Sequence, residues 1–133
     1  MNHHEAADEL VKWGVKYDEA WRMIARAVCD RASEVHGGKK MPAQRALGTS
    51  RETMLTALRF PTSDIGAVAR ACRELGCHLF DTHENYHDCI RAFDNLIVTA
   101  ALDKTGSGVG AAKLLGVHRN SIRNMQGKRK KSA

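Results

Sequence analysis

Ala111-Ala112-Lys113-Leu114-Leu115-Gly116-Val117-His118-Arg119-Asn120-Ser121-Ile122-Arg123 is the stretch whose reading decides the fold. Two short helices can cross steeply only where a small side chain separates them, and Ala112 supplies it. The turn between them needs a residue with positive φ, which Gly116 adopts without steric cost. Leu115, Val117 and Ile122 are the apolar positions expected to point inward and lock the crossing angle. The outward face then carries Lys113, His118, Arg119, Asn120, Ser121, Arg123 and Asn124, with no acid among them. Donors and short polar groups at the start of the second helix are what base edges and phosphates accept. A pair of the same shape that packs on a protein would have no need of those arginines.

Downstream, Lys128, Arg129 and Lys130 continue the positive charge into a basic tail over residues 128–133. Residues 104–133 hold 8 Lys/Arg and no acid, whereas residues 1–103 hold 13 Lys/Arg and 15 Asp/Glu, so the net +6 of the chain is concentrated at one end. A neutral body with a basic end is the footprint of a polyanion binder. Tail cations add sequence-independent attraction to phosphates by releasing counterions.

Upstream, apolar residues recur at helical spacing and few β-branched or aromatic runs alternate with polar residues, which predicts an all-α chain. A first helix spans Glu5 to Trp13 and stops at Gly14. Asp18 caps a longer one whose stripe is Trp21, Ile24, Val28, Ala32 and Val35, ended by Gly37-Gly38. Short helices follow from Met41 to Leu47 and, capped by Ser50, from Arg51 to Arg59, before Pro61. Thr62 or Ser63 caps a further helix through Leu75, with Ile65, Val68, Ala69 and Cys72 as its apolar positions, and Gly76 closes it. Cys77 to Asp81 is expected to connect. A long helix then runs from Thr82 or Glu84 to Lys104, with Ile90, Phe93, Ile97 and Ala101 as its stripe. The loop Gly106-Ser107-Gly108 leads to the short pair, whose second helix fades near Gln126-Gly127.

Phe93-x-x-Leu96-Ile97, Ala100-Ala101-Leu102 and Lys104-Thr105-Gly106, followed by the opening string, together resemble the Fis family, including the C-terminal DNA-binding domain of NtrC-type activators. The resemblance covers about the last 40 residues. It implies a helical dimerisation element followed by a helix-turn-helix that reads the major groove of double-stranded DNA. His118, Arg119, Ser121 and Arg123 fall on the family's DNA-facing positions. The family more often carries Asn where His118 stands and Lys where Asn124 stands.

An internal repeat is also legible. Ala43, Leu47, Gly48 and Arg51 match Ala111, Leu115, Gly116 and Arg119 in register, and Ile24, Ala27 and Asp30 match Ile97, Ala100 and Asp103 in the preceding helices. The chain therefore reads as a divergent N-terminal Fis-like unit over residues 1–61 and a clear C-terminal one over residues 62–127. Their long helices would pack together as an internal pseudo-dimer, unless the chain forms a homodimer instead. In the first copy Gln44 replaces Ala112, Thr49 replaces Val117 and Glu52 places an acid on the outer face. Lys39, Lys40, Arg45, Ser50 and Arg51 remain as a possible second DNA-binding set. The alternative is an adaptor, in which the first unit binds a protein partner and only the second binds DNA.

Cys72, Cys77, His78, His83, His87 and Cys89 crowd one region, and His83 and His87 have the i, i+4 spacing of a shared helix face. No Cys-x-x-Cys pair accompanies them, so no metal or other cofactor is expected, although a metal-responsive sensor is the third reading. No nucleophile elbow, phosphate loop or carboxylate pair is present, which argues against an enzyme. With no apolar leader and no stretch of about 20 apolar residues, a cytoplasmic, nucleoid-associated bacterial regulator of transcription is expected, without a membrane partner.

Overall fold

The computed structural model describes residues 2–131, with side chains through Gln126. It contains eight helices and, among the described residues, no strand: α1 His3–Lys12, α2 Tyr17–Val35, α3 Lys40–Leu47, α4 Arg51–Leu58, α5 Gly66–His83, α6 Tyr86–Thr105, α7 Gly108–Leu115 and α8 Arg119–Lys131. The all-α expectation holds. None of these helices is long and apolar enough to cross a membrane.

Four helices form a bundle. α2 packs most extensively on α5, and α1 lies against both α5 and α6. α2 and α6, the two long helices of the sequence repeat, also touch, but less than α2 and α5 do. Each half of the chain thus completes the other: the first half's long helix is covered by α5, and the second half's by α1. Both halves enter one buried cluster, which includes Leu10, Ile24, Val28, Leu75, Leu79, Phe93 and Ile97. Residues on both sides of residue 61 enter this one cluster. α3 and α4 pack on α2 as α7 and α8 pack on α6. The order long helix, short helix, short helix therefore occurs twice in space as well as in sequence.

The main departure from expectation is Gly76. It does not close a helix; α5 runs through it to His83, and Cys77 to Asp81 are helical. A Cβ at Gly76 would lie 2.4 Å from the Cβ of Ala27 and 3.0 Å from its carbonyl carbon. The glycine is there because α2 and α5 approach too closely for any side chain, not because the chain turns. α5 ends instead at Glu84, whose φ of 60° is the one positive value at a non-glycine residue among those described. The Asn85 N–H donates to the His83 carbonyl at 2.6 Å, making a tight three-residue turn. The Asn85 side chain then caps α6 by accepting from the Asp88 N–H at 3.2 Å. The break puts His83 and His87 on different helices, so the common face expected from their spacing does not form.

Smaller differences follow the same logic. α2 begins after Lys16, and Asp18 sits in its first turn paired with Arg22 at 3.2 Å. Ile24, Val28 and Ala32 are buried as the stripe requires, while Val35 at the helix end is 53% exposed. Ile65, placed on an apolar stripe, lies just before α5 and is exposed, and Ser63 caps nothing but its own turn, accepting from the Ile65 N–H at 3.0 Å. Polar ties stitch the bundle: Arg31 makes two bonds to Asp81 at 3.0 and 3.1 Å between α2 and α5, and Tyr17 donates to Asp94 at 2.7 Å between α2 and α6. Burial and the Asp94 acceptor push the Tyr17 hydroxyl pKa well above its ordinary range. Burial also pushes the Cys29, Cys72 and Cys89 thiols up to about 12, which keeps them protonated and poor ligands.

Candidate nucleic-acid interface

The C-terminal head is built from α6 outward. Gly106 closes α6 in the left-handed region, and the Ser107 side chain caps α7 by accepting from the Gly110 N–H at 3.0 Å. Ala111, Ala112 and Leu115 on α7 and Ile122 on α8 are buried. They dock the head on α6. Val117 is half-buried. Gly116 takes φ 69° at the turn, and the Val117 N–H reaches back to the Ala112 carbonyl at 3.0 Å. His118 then caps α8: its Nδ1 accepts from the Asn120 N–H at 3.1 Å. That leaves Nε2 as the protonated nitrogen of the neutral ring and a donor on the surface.

Lys113, His118, Arg119, Asn120, Arg123 and Asn124 are all exposed, and Ser121 is half-buried. They lie on the end of α7 and the first two turns of α8, so the fold brings together the residues singled out from sequence. Lys128, Arg129 and Lys130 have side chains outside the described residues; the backbone of α8 continues to Lys131, past the end expected near Gly127.

Most arginines of the bundle are ion-paired. In the bundle, Arg22 pairs with Asp18, Arg26 with Asp30, Arg31 with Asp81 and Glu34, Arg70 with Glu74, and Arg91 with Asp88. Among the described residues no ion pair involves Lys104, Lys113, Arg119 or Arg123. Four cations without an ion-pair partner among the described residues on this end, beside the single acid Asp103, leave a net positive potential.

One residue of this assembly had no signal in the linear sequence. Lys16, just before α2, donates its ammonium to the carbonyls of Lys113 and Leu114 at 3.4 and 3.3 Å. Those are the last carbonyls of α7, where a cation also opposes the helix dipole. The contact joins positions nearly a hundred residues apart, which no local spacing could disclose.

The N-terminal head repeats the backbone. Gly48 takes φ 63° after α3, and the Ser50 side chain caps α4 by accepting from the Thr53 N–H at 3.1 Å. Lys39, Lys40, Arg45, Ser50 and Arg51 are exposed, and no ion pair among the described residues involves them. The Ser50 hydroxyl is committed, since it also donates to Thr53 Oγ1 at 2.9 Å. Glu52 is exposed on the first turn of α4, and Leu55 is half-buried where α8 has Arg123.

For metal chemistry, no group of three or more His, Cys, Asp or Glu among the described residues is arranged to hold an ion. His3 stacks on His78 with ring centroids 4.1 Å apart and lies 4.2 Å from His4. Burial and those two neighbours lower the His3 pKa. No family model, curated protein or solved structure matches the chain significantly.

Proposed function

We propose that this chain is a sequence-specific double-stranded-DNA-binding transcriptional regulator of the Fis type, with α7 and α8 as its reading head. The observation that carries the reading is the set of exposed, unpaired cations and donors at the start of α8, held on a rigidly docked short helix pair. The turn at Gly116 and the buried Ala112, Leu115 and Ile122 support a helix-turn-helix, in which the second helix enters the major groove. In that role Arg119 and Arg123 contact bases or phosphates, assisted by His118, Asn120, Ser121 and Asn124. Lys113 and the cations 128–130 grip the backbone.

The duplicated order of helices and the mutual covering of α1, α2, α5 and α6 support an internal pseudo-dimer of two Fis-like units. If both heads engage one duplex, their reading helices fit sites about 34 Å apart, one DNA turn. A regulator of this kind works at the bacterial nucleoid, with DNA as its partner and no catalytic step.

Binding to a duplex selected from random DNA, measured at rising salt, tests the reading. Affinity falls steeply with salt, and Arg119→Ala and Arg123→Ala each cost about 1–3 kcal/mol. A double variant that holds the selected site as tightly as the parent overturns the assignment.

A second reading is favoured by one observation at the N-terminal head. Leu55 stands where Arg123 stands in the other, and Glu52 stands where Asn120 does. In this reading the first head recruits a protein and only the second binds DNA.

A further inference from the structure

Between α3 and α4 lies a cleft of about 480 Å³ lined by Lys40, Met41, Gln44, Arg51, Met54 and Leu55. Its floor is apolar: Met54 is buried and Leu55 half-buried. Met41 stands at its edge with 65% of its surface exposed, the most exposed of the large apolar side chains among the described residues. An unbranched thioether at a cleft edge suits a surface that must adapt to a ligand. The only ionic groups in the lining are cationic, Lys40 and Arg51, and neither is ion-paired among the described residues.

We propose that this cleft takes an amphipathic helix of a partner protein, its apolar face seated on Met41, Met54 and Leu55 and its flanking Asp or Glu residues on Lys40 and Arg51. The proposal rests on the second reading above and gives it a site and a partner chemistry. Apolar anchors at helical spacing entering a groove between two helices are a recurrent mode of recognition. The charge of the rim selects acidic flanks and rejects basic ones. That same charge excludes this chain's own basic C-terminal residues as the occupant. Duplex DNA is the poorer fit, because Leu55 presents an alkyl group where the other head presents a guanidinium, and Glu52 faces outward beside it.

The test uses the full chain with its methionine methyls labelled for NMR. Met41 and Met54 report the cleft, while Met23 and Met125 lie outside its lining. A library of helical peptides with apolar residues at i, i+3, i+4 and i+7, flanked by Asp/Glu, Lys/Arg or Ser, is selected against the protein. The expected result is enrichment of acid-flanked members that shift Met41 and Met54 and leave Met23 and Met125 in place. Met41→Ser with Leu55→Ser then weakens those peptides at least tenfold, and Lys40→Glu with Arg51→Glu transfers the preference to basic flanks. The proposal is overturned if no acid-flanked peptide moves Met41 and Met54, or if flank charge is immaterial. Shifts of the same methyls by duplex DNA assign the cleft to DNA instead. Shifts that appear on raising the concentration of the free chain assign it to a second copy. DNA binding lost through Arg119→Ala leaves the peptide outcomes unchanged, so the two ideas fail separately.

Discussion

The two heads share a backbone and differ in what they show to solvent. Ala43 and Ala111, Leu47 and Leu115 are buried in equivalent places, and Gly48 and Gly116 turn the chain with φ of 63° and 69°. Those residues decide shape. The outward residues are under no such geometric demand, and there the heads part: Arg51 and Arg119 agree, but Leu55 stands where Arg123 does and Glu52 stands where Asn120 does. Two helix pairs can thus share a backbone through a handful of buried or positive-φ positions while their surfaces differ.

The largest expected effect breaks the comparison on the DNA side. Replacing both Arg119 and Arg123 by Ala should remove about 1–3 kcal/mol of DNA affinity per residue and flatten the salt dependence. The two cations that line the cleft of the first head, changed as Lys40→Ala with Arg51→Ala, should together cost less than either change in the second. Titration of a selected duplex against both variants decides it. Equal losses from the two heads would mean that both read DNA, and the division of labour between them would be wrong.

Next in size is the bundle that holds the heads. Gly76→Ala drives a methyl to 2.4 Å from the Ala27 Cβ and should cost about 1–3 kcal/mol in urea unfolding. Adding Ala27→Gly should recover part of that loss, because the clash is between those two side chains. Non-additivity of this kind separates a packing glycine from a helix-ending one, which Ala27→Gly could not rescue. The same residue marks where reading the chain from sequence fell short. Gly after Leu75 has the signature of a helix end, and the pattern alone cannot distinguish it from a glycine that admits a neighbouring helix. The actual end at Glu84-Asn85 lacks glycine and proline, and only the start of the following helix, expected at Thr82 or Glu84, pointed near it. Short helices bounded by Gly48, Ser50, Gly106 and Gly116 were legible because local backbone chemistry ends them. What crosses between halves was not: Lys16 on α7, Arg31 on Asp81 and the covering of α6 by α1 depend on distant partners.

The turn glycines give an intermediate effect that sharpens the contrast. Alanine at either position costs about 1 kcal/mol or somewhat more for the left-handed backbone. Gly48→Ala should cost more than Gly116→Ala. Its Cβ would lie 2.9 Å from Asn85 Nδ2, and that side chain is held in place by capping α6. The Cβ at Gly116 would lie 3.1 Å from the Lys16 Cδ, on an exposed flexible chain that can step aside. Thermal unfolding of the two variants compares them directly, and the reverse order would show that Asn85 moves more freely than its cap suggests.

The smallest effect concerns how each head is fastened. Lys16 places its ammonium on the last carbonyls of α7, whereas the equivalent turn in the first head faces Asn85, a neutral side chain. Lys16→Met keeps most of the alkyl stem against Gly116 and removes only the charge. A cation at an exposed helix C-terminus contributes about 0.3–1 kcal/mol, too little to change global unfolding much. It should instead appear locally, as faster amide exchange at Gly116 and Val117 with no change at Gly48 and Thr49. If the fastening matters for reading DNA, the variant also loses affinity at the selected site. Unchanged exchange at Gly116 would mean that the buried face of α7, with Ala111, Ala112 and Leu115, is sufficient to hold the head, and the two heads would then be fastened alike.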